Sequence, residues 1–554
     1  MTGKGKEEQK TPFTGRWVAR LRGRIVGHGG TPGQALRAAR AARFKEIPEI
    51  SYMPHRQEFT FSPLLDKVRA VLPDGVPVYL VGGTVRDALL GRETHDLDFA
   101  LPCGGVTLAR RAADALGAAF YPLDRERDTG RVISTDEKGE RIVMDFAAFR
   151  GADLEGDLRG RDFTANALAL DVRTQAIHDP LGGAADIRAH LLRACAASAF
   201  QDDPLRILRG VRLAAVYSFK IQPETRKMMK QALKRLSTVT AERLRDELFR
   251  MLESNQAAAA LRVMDMLGAL QIVLPELAPL KRLTQPAPHV YDGWEHTMRC
   301  LNHLQAILSA LAPVFDAQKR SDLFTGLLTG HLGRYRQQIS AALAQPEVNE
   351  RTPRGLLFFA ALYHDAAKPQ CGKVQEDGRL RYWGHDEQGA LMATDRASRL
   401  QLSSREISRV AGIIRHHMRV HFHTKRLYEG GRMPSRRAIY RFFRDTGEMG
   451  VDVCLLTLAD LRATYEHTLS QDMWQACLDV CRIFLENWWE KPAESIDPPA
   501  LLNGDDLMSE LGMQPGPQVG ILLEALREAQ ATGRVNDRPA ALEFLRERRN
   551  GEGK

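Results

Sequence analysis

No stretch of this 554-residue chain reaches eighteen consecutive apolar residues, so no transmembrane helix is expected. The opening residues, Met1 to Lys10, are polar and lack the apolar centre of a secretory signal. Cysteine is scarce: seven residues, dispersed, with no Cys-x-x-Cys pair. An odd, scattered set argues against a disulfide framework and fits reduced thiols in a cytoplasm. Cys477 and Cys481, one helical turn apart, read as core neighbours rather than as a metal site. Internal repeats and long low-complexity runs are also lacking. What is present is an ordinary globular composition, 44% hydrophobic, in a chain too long for one core. Three or four domains are expected. A net charge of +9 suits a polyanionic partner, and equally suits simple solubility at this length.

Val78-Tyr79-Leu80-Val81 reads as an apolar strand, Gly82-Gly83 as a tight turn and Thr84-Val85-Arg86-Asp87 as a helix start. Asp96-Leu97-Asp98 follows, with carboxylates at alternate positions. In a strand, residues i and i+2 face the same way, so Asp96 and Asp98 project together while Leu97 and Phe99 enter the core. Adjacent carboxylates repel unless a cation lies between them. Mg²⁺, a hard ion, takes carboxylate and phosphate oxygens. The Gly-Gly turn lets backbone N–H groups approach a phosphate at the start of the next helix. Either motif alone reads as a turn or a solvated acidic loop; together they point to metal-assisted nucleotidyl transfer.

The ordered pattern Gly-Gly-x-Val-Arg-Asp-x-x-Leu-Gly-Arg-x-x-x-Asp-x-Asp resembles the bacterial class II CCA tRNA nucleotidyltransferase/poly(A) polymerase family. The likeness continues in Gly160-Arg161-Asp162-Phe163-Thr164-Ala165-Asn166-Ala167, in Asp179-Pro180-Leu181-Gly182-Gly183, and in Asp202-Asp203-Pro204-Leu205-Arg206-Ile207-Leu208-Arg209-Gly210-Val211-Arg212. It is strongest from Val78 to Phe219. The family usually has Arg where Gly160 stands and Glu where Asp202 stands.

The resemblance implies an α+β chain: a polymerase-β-like nucleotidyltransferase head, then an all-α body and tail with a metal-dependent HD module. The expected layout is a disordered tail at 1–12 and a small appended ββαβ unit at 13–54. The head follows at 60–190, a nucleotide-reading and RNA-binding body at 191–280, the HD-type domain at 281–490 and a helical tail at 491–554. In the appended unit, 15–21 and 23–26 suggest a hairpin, Thr31-Pro32 starts a helix running to about Arg43 and 50–53 forms a closing strand. The region with Lys319, Arg320, Arg334, Arg336 and Glu347-Val348-Asn349 reads as an insertion between helices.

Site roles follow from the same likeness. Asp96 and Asp98 are the expected catalytic carboxylates, with Mg²⁺ as cofactor. Asp145, in Arg141-Ile142-Val143-Met144-Asp145-Phe146, reads either as a third carboxylate on a neighbouring strand or as a structural aspartate. Gly82, Gly83 and Arg86 are expected at the triphosphate; a cation on a helix's first turn is unfavourable unless an anion is bound. Arg161, Asp162 and Asn166 match ribose and phosphate contacts. Asp203 and Arg206, three apart, are expected on one helix face, with Arg209 and Arg212 continuing the nucleotide-binding helix. A carboxylate and a guanidinium side by side match the amino donor and ring acceptor that C and A both present.

A second constellation comprises His296, His364-Asp365 and Asp460, with His385 and His416-His417 between. Tyr363-His364-Asp365-Ala366-Ala367-Lys368-Pro369 and Ala459-Asp460-Leu461 resemble the HD phosphohydrolase module. His296, His364, Asp365 and Asp460 are expected to bind a divalent transition metal, with the further histidines available for a second ion or a phosphate. The arginines of 399–444, among them Arg415, Arg419, Arg436, Arg437, Arg441 and Arg444, read equally as a grip on tRNA phosphates and as a solvated face.

The expected function is template-independent addition or repair of the tRNA 3′ CCA end from CTP and ATP, with tRNA as partner and no membrane. The rivals are a narrower relative that adds CC, A or poly(A), an HD phosphohydrolase with a relic head, and a protein that only binds RNA.

Overall fold

The computed structural model describes residues 16–21, 24–29, 32–41, 48–53, 64–92, 96–135, 139, 141–314, 322–344 and 351–551. The expected tail at 1–12 lies outside them. The chain divides into two units, Met1–Ala189 and His190–Lys554.

The first unit opens with the expected ββαβ element. Strands β1 (Arg16–Leu21), β2 (Arg24–Gly29) and β3 (Glu49–Met53) form an antiparallel sheet in the order β2-β1-β3, with helix α1 (Pro32–Ala41) packed on it. Gly27 permits that packing, since a Cβ there would lie 2.5 Å from the backbone nitrogen of Ala39.

Helix α2 (Leu64–Ala70) leads into the head. Its elements are β4 (Tyr79–Val81), α3 (Gly83–Leu89), β5 (Asp96–Leu101), α4 (Gly105–Leu116), β6 (Ala119–Asp124), β7 (Thr129–Thr135) and β8 (Arg141–Ala148). Then come α5 (Leu154–Arg159), β9 (Ala169–Asp171), β10 (Ile177–His178) and α6 (Gly183–Arg188). Seven strands pair in the order β10-β9-β4-β5-β8-β7-β6. β5 and β8 run parallel and the other pairs antiparallel. The alternation along β5 is the one its sequence dictates: Leu97 and Phe99 are buried, Asp96 is exposed and Asp98 is half-buried. Phe99 stacks on Phe146 of β8 with centroids 4.5 Å apart, which locks the register of the two strands that matter.

The second unit is helical apart from two short ladders, 191–192 with 220–221 and 373–374 with 380–381. Its core helices include Gly293–Ala310, Pro353–Tyr363, Ser404–His416 and Met449–Tyr465. The region expected as an insertion contains helices Leu323–Leu332 and Arg336–Ala344; Lys319, Arg320 and 347–349 lie outside the described residues. Cys477 and Cys481 are buried in the core, as their spacing suggested. Residues from Leu502 to Leu545 gather a hydrophobic core of their own. Among the described residues no helix is long and apolar enough to cross a membrane.

Candidate active site in the head and metal centre in the helical unit

The head site is built where β4 turns into α3. Gly82 has φ +71°, a conformation open to glycine and costly for a β-branched residue. A Cβ at that position would meet Arg161 Nη1 at 3.0 Å and Asp98 Oδ2 at 3.4 Å. The turn, a guanidinium and a carboxylate therefore face one point, and the bare glycine keeps that point open. Thr84, which the sequence reading passed over, pins the strand beneath: its hydroxyl donates to the Asp96 carbonyl (3.0 Å) and accepts from the Asp98 N–H (3.1 Å).

Asp98 and Asp145 are register partners across parallel β5 and β8, so both carboxylates stand on one face of the sheet. Asp145 also receives two hydrogen bonds of 2.8 Å from Arg131 on β7. That fork holds its carboxylate in place and supplies a counter-charge beside Asp98. Carboxylate oxygens on one sheet face beside an open glycine turn are a donor set of the kind Mg²⁺ takes.

Arg86 takes a task the sequence did not show. It is buried, with Nη1 donating to Asn166 Oδ1 (2.6 Å) and with Nε and Nη2 donating to Asp87 (3.0 Å). Its counter-charge on the first turn of α3 is thus Asp87, so the cation does not by itself require a bound anion. Asn166 in turn donates to Asp162 Oδ1 (3.0 Å), which also accepts the Phe163 N–H (2.8 Å). Arg161 is held by Asp157 at 2.9 Å. Gly160 caps the end of α5, so Arg159 points away to pair with Glu155. Arg86, Asn166 and Asp162 form one buried chain that fixes the rim of the site.

In the helical unit the expected shared helix face of Asp203 and Arg206 is not formed. The short helix Ala199–Asp202 ends before Asp203, which is extended (φ −142°, ψ 99°), and the next helix runs Arg206–Val216. Pro204 is the cause, since its ring disfavours the helical conformation in the residue before it. Asp203 instead accepts from the Leu205 N–H (3.2 Å) and from Arg243 (2.8 Å). It stands just ahead of the helix whose half-buried face carries Arg206, Arg209 and Arg212 at threefold spacing. Arg212 is tied to buried Glu247 at 2.5 Å.

The expected metal ligands come together. His296 Nε2 lies 3.0 Å from Asp460 Oδ1, 3.4 Å from Asp365 Oδ2 and 3.4 Å from His364 Nε2. These are contacts between potential ligand atoms, which a proton on an imidazole or a metal ion can reconcile. His364 Nδ1 faces the Ala361 carbonyl at 2.8 Å, which orients the ring and leaves Nε2 to the cluster. A second group adjoins the first through Asp365: His385 and His417, whose Nε2 atoms are 3.2 Å apart and whose Nδ1 atoms face carbonyls of Tyr382 and Ile414. Of the pair His416-His417, only His417 belongs. Sequence reading missed His289, His421 and the role of Lys368. His421 meets Asp460 Oδ2 at 2.8 Å and Lys368 Nζ meets Asp365 Oδ2 at 2.6 Å. The four-residue step from His417 to His421, one helical turn, was the available signal.

Electrostatics follow from burial. Burial alone depresses His364, but Asp365 and Asp460 outweigh it and raise the imidazole to about 10. Both carboxylates are held well below their usual range against the pull of burial, Asp365 chiefly by His364 and Lys368 and Asp460 chiefly by His421. Burial, with His385 and His364 beside it, drives His417 down to about 3. Burial and Lys368 bring His289 to about 4. The proton on His364 balances Asp365 and Asp460 in the absence of an ion, the part a divalent metal would take over, while His417 and His289 stay neutral.

The arginine-rich stretch is partly neutralised within the unit, five of its arginines sharing three carboxylates. Arg415 pairs with Glu387, Arg419 and Arg444 with Asp445, and Arg437 and Arg441 with Glu528. A patch so paired grips phosphates less strongly than its composition suggested.

Comparison with known proteins agrees with both halves. Residues 78–193 match the Poly A polymerase head domain, 218–281 the probable RNA and SrmB-binding site of polymerase A, and 293–460 the HD domain. An A-adding tRNA nucleotidyltransferase of Deinococcus radiodurans is 32% identical over 84% of this chain and 94% of its own length. A CC-adding tRNA nucleotidyltransferase of Thermus thermophilus is 33% identical over 84% of this chain and 92% of its own. The fold is similar to that of a CCA-adding enzyme solved with ATP (TM-score 0.53, 19% identity, 87% of this chain and 93% of that one). The chain belongs to the tRNA nucleotidyltransferase/poly(A) polymerase family: it is a nucleotidyltransferase with a divalent-metal-dependent head and an HD domain in its helical half.

Proposed function

We propose that this enzyme adds CMP and AMP to the 3′ end of tRNA, building or repairing the CCA terminus without a template. The carrying observation is that, beside the A-adding and CC-adding enzymes, the relatives include a multifunctional CCA protein of Stenotrophomonas maltophilia, 30% identical over 62% of this chain and 76% of its own length. Asp96 and Asp98, with Asp145 as third carboxylate, are the catalytic set and hold Mg²⁺. Bound there, the ion would supply charge neutralisation of the triphosphate and acidify the attacking hydroxyl. Gly82, Gly83 and Arg161 receive the triphosphate; Arg86, Asp162 and Asn166 set the rim around the ribose. The 3′-oxygen of tRNA bonds to the α-phosphorus, the α–β P–O bond breaks, and pyrophosphate leaves while the hydroxyl proton passes to solvent. Asp203, just ahead of the helix, and Arg206, at its start, read the base edge, with Arg209 and Arg212 further along that helix. The domain boundaries are those set out from the sequence, and the site of action is the cytoplasm.

A narrower product is the competing reading, favoured by the fact that the A-adding and CC-adding relatives each perform only one half. Transcripts lacking three, two or one terminal nucleotides, each offered single NTPs, decide it: all three completed by CTP plus ATP supports CCA addition. Extension of only one class of end assigns the narrower activity.

The His/Asp cluster supports a second, separate activity: metal-dependent hydrolysis of a phosphoester. His296, His364, Asp365 and Asp460 hold a divalent transition metal there, and Asp365, His385 and His417 are placed for a second ion. Water adds to phosphorus, the ester P–O bond breaks, and the leaving oxygen takes a proton.

A further inference from the structure

The His/Asp cluster forms the floor of a cavity of about 650 Å³, within the range of small-molecule sites. One wall is Arg381, at the end of the hairpin Lys373–Val374/Leu380–Arg381, with Tyr382, Trp383 and Gly384 that follow it. There Trp383 is 69% exposed, two positions before the cluster residue His385. Gly384 between them has φ +79° and precedes the helix that carries His385, so the turn sets the backbone of Trp383 beside the cluster. Arg381 lies against the indole at 5.5 Å, and Lys368 reaches the neighbouring Tyr382 ring at 5.6 Å from the floor. Lys425 adds a cation to the same cavity. A site for inorganic phosphate or a small sugar phosphate needs the floor and the cations; it has no use for a large exposed aromatic face. A planar base does, because every nucleobase offers a π-face to stack.

We propose that Trp383 is the base-stacking wall of a nucleotide pocket above the His/Asp cluster, so that this centre takes a nucleoside phosphate, free or as the end of an RNA. The inference rests on the phosphoester reading of the cluster. It goes beyond that reading in naming the residue that selects nucleotides over other phosphates.

The test is equilibrium dialysis of the full chain in Mn²⁺ with radiolabelled AMP, ribose 5-phosphate and an oligoadenylate carrying a terminal phosphate. Metal-stripped protein and the H364A/D365A variant set the background from the head. Trp383→Ala is expected to weaken AMP binding roughly 5- to 100-fold, the span of a lost base stack, and to leave ribose 5-phosphate unchanged. Trp383→Phe should restore most of the loss, and nucleotide incorporation into tRNA should be untouched in both. Tighter binding of the oligoadenylate than of AMP assigns the pocket to RNA ends; the reverse assigns it to free nucleotides. Equal weakening of AMP and ribose 5-phosphate, or no weakening of either, overturns the role of Trp383. AMP binding that depends on Trp383 without any hydrolysis sinks the hydrolase reading and leaves the pocket standing.

Discussion

The two centres hold acids in opposite ways. In the head, Asp96 and Asp98 stand on a strand at the open face of a sheet, exposed and half-buried, beside a glycine turn that leaves space. In the HD domain, His296, His364 and Asp365 are at most 2% exposed; His296 comes from helix Gly293–Ala310, and His364 and Asp365 follow the end of helix Pro353–Tyr363. An open carboxylate pair is solvated at rest and can take its ion along with a triphosphate. A buried cluster has already lost its water, so its charges are balanced internally, by His364 and Lys368 against Asp365, until an ion arrives. The first arrangement suits an ion that comes and goes with substrate; the second suits a resident one.

The sharpest way to break this comparison is at the head. Asp96→Ala or Asp98→Ala should lower nucleotide incorporation by roughly 10³-fold or more, from loss of several kcal/mol of charge stabilisation, while tRNA still binds through phosphate contacts. Single-turnover incorporation and a filter-binding assay check both halves; near-normal incorporation in Mg²⁺ removes these residues from the mechanism.

The HD side is tested by metal content. Wild-type protein should retain transition metal through dialysis, and His364→Ala with Asp365→Ala should empty the site while CCA addition continues. Elemental analysis beside the incorporation assay is the measurement. Loss of incorporation in a folded double variant would show that the two centres are not independent.

Specificity separates the base edge from the triphosphate. Asp203→Ala should cost about 1–3 kcal/mol of discrimination against UTP and GTP, with a smaller effect on CTP affinity. Equal loss of rate for all four nucleotides assigns Asp203 to the Leu205 turn and the Arg243 pair alone.

The smallest effect is structural and pH-linked. Asp128 accepts N–H groups of Gly104, Gly105 and Val106 at 2.5, 2.9 and 2.9 Å, capping α4. Burial pushes its carboxyl up, but those donors outweigh burial and hold it below the usual value. Its contribution is therefore present above the unfolded value near pH 3.9 and fades as pH falls through the lower folded one. Asp128→Asn should cost about 0.5–2 kcal/mol at neutral pH, and the gap to wild type should close below roughly pH 4. Thermal melts at several pH values read it out; a gap independent of pH assigns the cost to geometry alone.

Much of this was readable along the chain because the chemistry is local in sequence. Two alternating carboxylates imply one strand face, and Gly-Gly before a helix implies an open turn, whatever lies elsewhere. Pro204 is equally visible, and the break it imposes outranks the i,i+3 spacing and puts Asp203 ahead of the helix rather than on it.

The sequence by itself determined the head's strand–turn–helix, its paired acids and the likeness of His296, His364, Asp365 and Asp460 to a metal set, because periodicity and spacing act over a few residues. Only the tertiary structure decided what depends on neighbours distant in the chain. It set Asp145 in register with Asp98 and gave it Arg131; it turned Arg86 toward Asp87 and Asn166; it chose His417 over His416 and brought His421 to Asp460. Strand order and helix packing settle those partnerships, and a buried charge accepts only the partner that packing delivers.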